Sequence, residues 1–283
     1  MASKILNAMR IGGHAYAYLA AGRREGRAAT TFRHGLSAVF GGDVYVSIQT
    51  PAVPLHPWAI EVPAMPPGIA VGAPIHVIDV TTAASTQRTP RTQRTELAIH
   101  ALHAACHELR IPPYTTRELQ RATDNRGILN RLLHERRPRS VEAFEGEIRA
   151  VVAQWQTTGD PSLLANLVGL GSGSTPSGDD VLVGILAGLT ALFDVSASAR
   201  QHLEALREGL REVSHRTHPA SRQMLAAATD GSFPEPLLNL ARALGGAGHP
   251  EAVRATAARV LGLGATSGGS FLAGLAAALD ANP

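Results

Sequence analysis

The sequence predicts an α+β protein in which a small, mostly antiparallel β domain precedes a larger helical domain. Short runs of β-branched and aromatic residues, separated by Gly and Pro, fill the first 80 residues. Beyond residue 95, apolar residues recur with helical spacing, and Ala and Leu are frequent. We therefore predict a β-rich domain at 1–80, a linker at 81–95 and a helical domain at 96–283.

Three runs in the first domain have strand character, namely residues 15–19, 43–49 and 75–80. Residues 40–44 (FGGDV) have the form of a two-residue hairpin turn between strands. The many prolines of residues 51–74 exclude helix there and indicate edge strands and long loops.

Residues 81–95 (TTAASTQRTPRTQRT) contain few apolar residues and three evenly spaced arginines. We interpret them as a solvated linker, and a cationic arm for an anion or a partner is the alternative. After them, residues 96–110 carry an apolar stripe typical of a helix. Further helices are predicted from Thr116, from Ser140, and across residues 196–215, 219–229 and 250–261, with Pro219 and Pro250 in first turns.

Composition excludes several classes of protein. Lys4 is the only lysine among 26 basic residues, which excludes a Walker-type phosphate lysine, a Schiff base and a Ser-Lys amidase. The single cysteine excludes a disulfide framework and a Cys-rich zinc site. A net charge of +3 is too small for a nucleic-acid binder. Without an apolar N-terminal segment or a run of about 20 apolar residues, we expect a cytoplasmic protein with no membrane partner.

Two glycine-rich segments, 169–180 and 262–270, follow one pattern and form the most informative part of the sequence. Aligned on Ser-Gly, both read G-x-G-x-T-(P)-S-G-x-x-x-L-x-G, and the first has one additional residue, Pro176. Each segment leads into a predicted helix, and the free amide groups of a helix N-terminus bind anions. We therefore expect a pseudo-symmetric pair of loop–helix units whose N-termini converge.

The first segment is acidic, because it has Asp179 and Asp180 where the second has Gly269 and Ser270. Ser177 is the predicted N-cap, which places both aspartates in the first helical turn. Two carboxylates would repel a bare phosphate, so a bridging Mg²⁺ or an ammonium or amide donor is the chemically consistent partner. The cofactor is left open, with Mg²⁺ bound by Asp179 and Asp180 as the candidate.

Residues 173–184 (GSTPSGDDVLVG) resemble the G-L-T-P-S-G-D-D-x-L-x-G signature of the AllH-like family, a subunit of bacterial oxamate carbamoyltransferase. The resemblance extends to residues 226–238, 262–275 and 32–60, and Ser174 departs from the usual Leu. It implies carbamoyl transfer between carbamoyl phosphate and a small amide acceptor such as oxamate, in allantoin and purine catabolism. It also implies companion carbamoyltransferase subunits.

Under this hypothesis the catalytic residues are Asp179, Asp180 and Ser177, with one aspartate orienting the acceptor amide or a metal. The substrate-binding residues, which bind phosphate or carbonyl oxygens, are Gly171, Gly173, Ser174, Thr175, Gly178, Thr266, Ser267, Gly268 and His218. Arginine suits an oxamate carboxylate, because its planar guanidinium group matches the geometry of a carboxylate. The candidates are Arg33, Arg216 and Arg222, and for each of them we favour a surface role over a ligand role.

The histidines give weaker signals. His100, His103 and His107 would share one face of a helix. We interpret this face as a mixed polar surface, and a metal site is the less favoured alternative. His215 and His218 precede the helix predicted from Pro219, and either can act as an acid or base near the loops.

Two alternatives remain open. One is a non-catalytic assembly subunit whose glycine loops bind a companion protein. The other is a stand-alone amide hydrolase of the serine type, although no G-x-S-x-G elbow follows a predicted strand.

Overall fold

The N-terminal part of the chain forms a mixed sheet, and the remainder forms a helical bundle. The chain divides into two units, Met1–Leu109 and Arg110–Pro283. The computed structural model describes residues 4–78, 97–100, 105–135, 143–246, 249–264 and 266–281. The predicted linker at 81–95 lies outside these residues, and the division between the units falls after residue 109.

The sheet has nine strands within the described residues, in the spatial order β1-β8-β7-β3-β4-β5-β6-β2-β9. In chain order they are β1 (Lys4–Asn7), β2 (Arg10–Gly12), β3 (Glu25–Phe32), β4 (Gly35–Phe40), β5 (Val44–Gln49), β6 (Ala59–Glu61), β7 (Pro74–Ile78), β8 (Leu97–His100) and β9 (Ala105–His107).

The α+β class is confirmed, but the sheet is mixed rather than mostly antiparallel. Antiparallel pairing joins β2 to β6 and links β7, β3, β4 and β5, whereas β1–β8, β2–β9, β5–β6 and β7–β8 are parallel. A parallel pair requires a connection that returns the chain across the sheet. The proline-rich segment supplies one between β5 and β6, and β6 is a buried interior strand rather than an edge strand.

The predicted hairpin is present with a longer loop. Phe40 pairs with Val44, so that three residues rather than two connect β4 and β5. Gly41 and Gly42 adopt φ values of +60° and +98°, which are accessible to glycine and strained for other residues. Phe40 also lies in the apolar core of this unit, where it is fully buried.

Two predictions in this unit are wrong. Residues 15–19 lie in helix α1 (Gly13–Ala20) and not in a strand. Ala15 and Leu19 are buried one helical turn apart, so the helix places both on the face that packs against the core. The helix predicted at 96–110 is replaced by β8 and β9, because each finds a parallel strand partner in the sheet. His100 and His107 therefore lie in strands, and His103 lies outside the described residues, so they share no helical face.

The second unit consists of helices joined by short connections. Within the described residues they are α2 (Thr116–Glu135), α3 (Ala143–Thr158), α4 (Ser177–Leu192), α5 (Ala197–Val213), α6 (Pro219–Thr229), α7 (Glu235–Gly245), α8 (Pro250–Leu261) and α9 (Ser267–Asp280), with 3₁₀ segments at Pro161–Leu167 and Ser214–Arg216. The helix starts predicted at Thr116, Pro219 and Pro250 are confirmed, and that predicted from Ser140 lies outside the described residues.

Helix α4 is the central element of the helical unit. Every residue from Gly178 to Leu192 is buried, as expected for an apolar segment surrounded by other helices. Within the described part of the chain, no helix has the length and apolar character needed to cross a membrane.

Candidate functional site

The two glycine-rich segments meet at one end of a parallel helix pair. A Cβ atom on Gly184 of α4 would lie 2.2 Å from the Phe271 carbonyl oxygen, and one on Gly274 of α9 would lie 2.0 Å from the Val181 carbonyl oxygen. These are equivalent positions of the two sequence repeats, so the helix pair is pseudo-symmetric. The N-terminal ends are adjacent, since the Thr175 and Ser267 hydroxyl oxygens are 3.4 Å apart. The predicted convergence of the helix N-termini is confirmed.

Equivalent glycines also allow the first turn of each helix to pack closely against the backbone that precedes its loop. A Cβ atom on Gly178 would lie 2.1 Å from the Leu167 carbonyl oxygen, and one on Gly268 would lie 2.0 Å from that of Val260. The Gly178 and Gly268 N–H groups donate to carbonyl groups of their own loops, at 2.8 Å and 2.9 Å. Both glycines therefore permit a close approach of backbone to backbone, which a side chain would prevent.

The tip of the first loop is exposed. Residues 172–175 are exposed, and Gly171 and Gly173 adopt φ values of +128° and +85°. In the described part of the chain, the backbone N–H groups of residues 172–174 donate to no protein acceptor. Exposed N–H groups beside a helix N-terminus are suited to binding an anion or a carbonyl oxygen.

Asp179 is a structural anchor beneath this loop. Asp179 is buried, with 1% of its surface exposed. Oδ1 accepts the Gly169 N–H at 2.8 Å, and Oδ2 accepts the hydroxyl groups of Ser221, at 2.6 Å, and Thr217. Three donors compensate the cost of burying a carboxylate, and they connect the loop to the start of α6.

Asp180 has a different environment, although it is adjacent in sequence. It is 3% exposed, and the Ser267 hydroxyl from the second loop is hydrogen-bonded to its carboxyl group. Its Oδ2 atom is buried without any hydrogen-bond partner in the described part of the chain. Burial, with a smaller contribution from the negative charge of Asp179, raises the pKa of Asp180 to about 7. Asp180 therefore exchanges a proton near neutral pH.

Ser177 and Thr266 differ from the expected helix geometry. Ser177 is the first residue of α4 rather than its N-cap, because Pro176 occupies the cap position and its carbonyl oxygen accepts the Asp180 N–H. Thr266 is the N-cap of α9, but its side chain makes no capping hydrogen bond. The prediction that Ser177 caps the helix is therefore wrong, and proline fixes the extended cap conformation instead.

The other candidate residues lie at varying distances from the loops. His218 is the N-cap of α6, and its Nδ1 atom accepts the Ala220 N–H at 3.3 Å. Arg216 is exposed, and its carbonyl oxygen would lie 2.9 Å from a Cβ atom on Gly169, so its backbone contacts the first loop. Arg222 belongs to α6, and Arg33 is an exposed residue of the other unit, between β3 and β4.

The described residues contain no group of three or more His, Cys, Asp or Glu side chains placed to bind a metal ion. Asp179 already accepts three hydrogen bonds, so it has little capacity left for a cation. Mg²⁺ bound by Asp179 and Asp180 stays a prediction.

Two cavities of the helical unit lie away from both loops. One of about 360 Å³ separates α5 from the Pro161–Leu167 segment and is lined mainly by small and apolar residues. The other, of about 160 Å³, is lined by residues that include Tyr114 and Arg242. Neither of these two cavities is lined by a residue of the glycine-rich segments.

Sequence reasoning missed Thr217 and Ser221, the two hydroxyl residues that bind Asp179. Short polar residues are common just before a helix and in its first turn, so their presence there does not by itself indicate a hydrogen bond to a distant carboxylate. The signal that was available is the position of both around Pro219, the helix start that the sequence did predict.

The arrangement defines a helical unit built around a duplicated loop–helix element with a buried acidic pair at one end. The family model of the oxamate carbamoyltransferase subunit AllH matches residues 167–279, less than half of the chain. This match supports an AllH-like family assignment, and it includes both loops together with α4 and α9. It does not extend to residues 32–60, so the resemblance suggested there by the sequence stays a prediction. No curated protein and no solved structure matches the chain.

Proposed function

We propose that this chain is a subunit of a carbamoyltransferase complex of the oxamate type, and that its converging loops bind a small anion, either carbamoyl phosphate or oxamate. The observation that carries this proposal is the meeting of two glycine-rich helix N-termini at Thr175 and Ser267, within the segment that the family model matches. The name of that family supports a role as one subunit among companion subunits.

The loops offer what carbamoyl transfer requires of a protein. The acceptor nitrogen attacks the carbamoyl carbon, the bond from that carbon to the phosphate oxygen breaks, phosphate leaves with the electron pair, and the nitrogen loses one proton. The main contributions of a protein are the orientation of both reactants and the stabilisation of the carbonyl oxygen. The exposed N–H groups of residues 172–174 and the hydroxyl group of Thr175 suit the second task.

Thermal unfolding of the purified full chain tests whether the site lies on it. The additions are carbamoyl phosphate, oxamate, inorganic phosphate and ATP, each with and without Mg²⁺. A ligand at 100 times its Kd stabilises the native state by about 2.7 kcal/mol, which is a shift of several degrees in Tm. We expect such a shift with carbamoyl phosphate or oxamate, and none with ATP.

A pair of glycine variants locates the site within the chain. Gly173→Ala strains the exposed loop, where φ is +85° and no atom would contact the new methyl group. Gly22→Ala is the matched control, because φ is +87° there and the surroundings are equally open, but the residue belongs to the other unit. We expect the first variant alone to lose the ligand-induced shift. Equal shifts in both variants would contradict binding at the first loop.

A second candidate function follows from the description of the matching family as a subunit. In that case the loops bind a companion protein, and the chain takes part in assembly without contacting substrate. Gly173→Ala, which changes only the exposed loop, would then weaken co-purification of the complex more than it lowers turnover by any complex that remains. Release of ammonia from simple amides by the chain alone would instead indicate a hydrolase.

A further inference from the structure

Five buried side-chain nitrogen or oxygen atoms lack a hydrogen-bond partner among the described residues, and the Oδ2 atom of Asp180 is the one that belongs to a carboxylate. Native proteins leave few polar groups in this state, because burying one without a partner is costly. The residue is 3% exposed and hydrogen-bonded to Ser267, so it lies where the two loops meet rather than in the general core.

Among the described residues, this oxygen has no hydrogen-bond donor. The Ser267 hydroxyl already bonds to the carboxyl group of Asp180. Asp179 is an acceptor whose two oxygens are occupied by Gly169, Thr217 and Ser221. In the described part of the chain, no arginine or histidine forms an ion pair with Asp180. The described residues therefore leave this oxygen free to bind a group from outside the fold.

We propose that Asp180 Oδ2 accepts a hydrogen bond from an N–H group of the ligand, and that Asp180 thereby determines specificity for the amide end of an oxamate-like molecule. This inference rests on the proposed function. The exposed N–H groups of residues 172–174 are available to the carbonyl or carboxylate oxygens of the same molecule. A donor-bearing group and an acceptor-bearing group are thus recognised by different parts of one loop–helix unit.

This proposal separates the two aspartates. Asp179 is a positioning residue, because its three hydrogen bonds hold the loop and the start of α6 and leave no free oxygen. Asp180 is the group that touches the ligand. Their roles differ although they are neighbours, because successive residues of a helix point in directions about 100° apart.

Calorimetric titration of the full chain with oxamate, pyruvate and inorganic phosphate tests the proposal. Pyruvate is the matched probe, because a methyl group replaces the NH₂ group of oxamate while the carboxylate, the carbonyl oxygen and the single negative charge are unchanged. A hydrogen bond to a charged group changes affinity by about tenfold or more. We expect the wild-type chain to bind oxamate at least about tenfold more tightly than pyruvate. We expect Asp180→Asn to remove most of this preference while phosphate still binds.

Two further variants keep the outcome decisive. Asp194→Asn changes an exposed carboxylate after α4 and is expected to leave all three affinities unchanged. Asp180→Ser repeats the test without the amide group if Asp180→Asn does not fold, and circular dichroism reports the fold of each variant. Equal binding of oxamate and pyruvate by the wild type, or a preference that survives both Asp180 variants, would overturn this inference and leave the proposed function intact. A wild-type chain that binds none of the three probes would overturn both.

Discussion

Replacing Asp180 by Asn tests whether a buried carboxyl group makes the helical unit less stable as the pH rises. Burial raises the pKa of Asp180 from 3.8 to about 7 in the folded protein. Between these two values the folded state holds a proton that the unfolded state has released. The free energy of unfolding therefore falls as the pH rises from about 4 to about 7, and it is independent of this group above that range.

The magnitude follows from the size of the pKa change. A shift of about three units corresponds to roughly 4 kcal/mol in total. Roughly 3 kcal/mol of this lies between pH 5 and pH 8. Asparagine has nearly the same shape and does not titrate, so the difference between the wild type and Asp180→Asn isolates this one group. We expect the wild type to lose about 3 kcal/mol relative to the variant over that interval.

Urea unfolding at pH 5, 6, 7 and 8 measures this difference. Trp155 is fully buried in α3 and reports on the helical unit, whereas Trp58 belongs to the other unit, so both proteins carry Trp58→Phe. The exposed Asp194→Asn variant supplies the control, because its difference in stability from the wild type is expected to stay constant with pH. A difference between wild type and Asp180→Asn that stays constant within about 0.5 kcal/mol would refute the reasoning, because surface effects are of that size.

Two further predictions concern stability. Asp179→Ala leaves three donors buried without their acceptor, so we expect a loss of at least about 3 kcal/mol in urea unfolding, against less than about 0.5 kcal/mol for Asp194→Ala; similar losses in both would mean that the anchor contributes nothing. Gly274→Ala places a methyl group 2.0 Å from a backbone oxygen of α4 and should cost about 1–3 kcal/mol or more. Gly269→Ala, in the same helix with open space, should instead stabilise by up to about 1 kcal/mol. Changes of the same sign in both glycine variants would contradict the tight packing of α4 against α9.

Local rules explain the parts of the fold that the sequence predicts well. Pro219 and Pro250 begin helices because the fixed φ angle of proline suits the first helical position, where no backbone N–H group is required. Repetition of one glycine pattern likewise implied a pair of equivalent units, and α4 and α9 are such a pair. The first signal depends only on neighbouring residues and the second only on a repeat within the sequence, so both can be detected without knowledge of the fold.

Long-range partners decide the parts that the sequence does not predict. Residues 97–107 have a helix-like apolar spacing, but β1, β2 and β7 supply strand partners, and pairing outweighs a weak local preference. The roles of the two aspartates were equally hidden, because Thr217 and Ser221 lie far from Asp179 in sequence. Burial and hydrogen bonding assign one carboxylate to anchoring and leave the other incomplete, whereas the sequence presents them as a pair.

The contact between α4 and α9 also has a consequence for biosynthesis. A ribosome adds roughly 5–20 residues per second, so α4 leaves the exit tunnel several seconds before the helix that covers Gly184. During this interval α4, which is apolar after its first turn except for Thr190, lacks the helix that packs against it. Since Ser267 belongs to α9, the contact between Thr175 and Ser267 forms only after α9 has been synthesised.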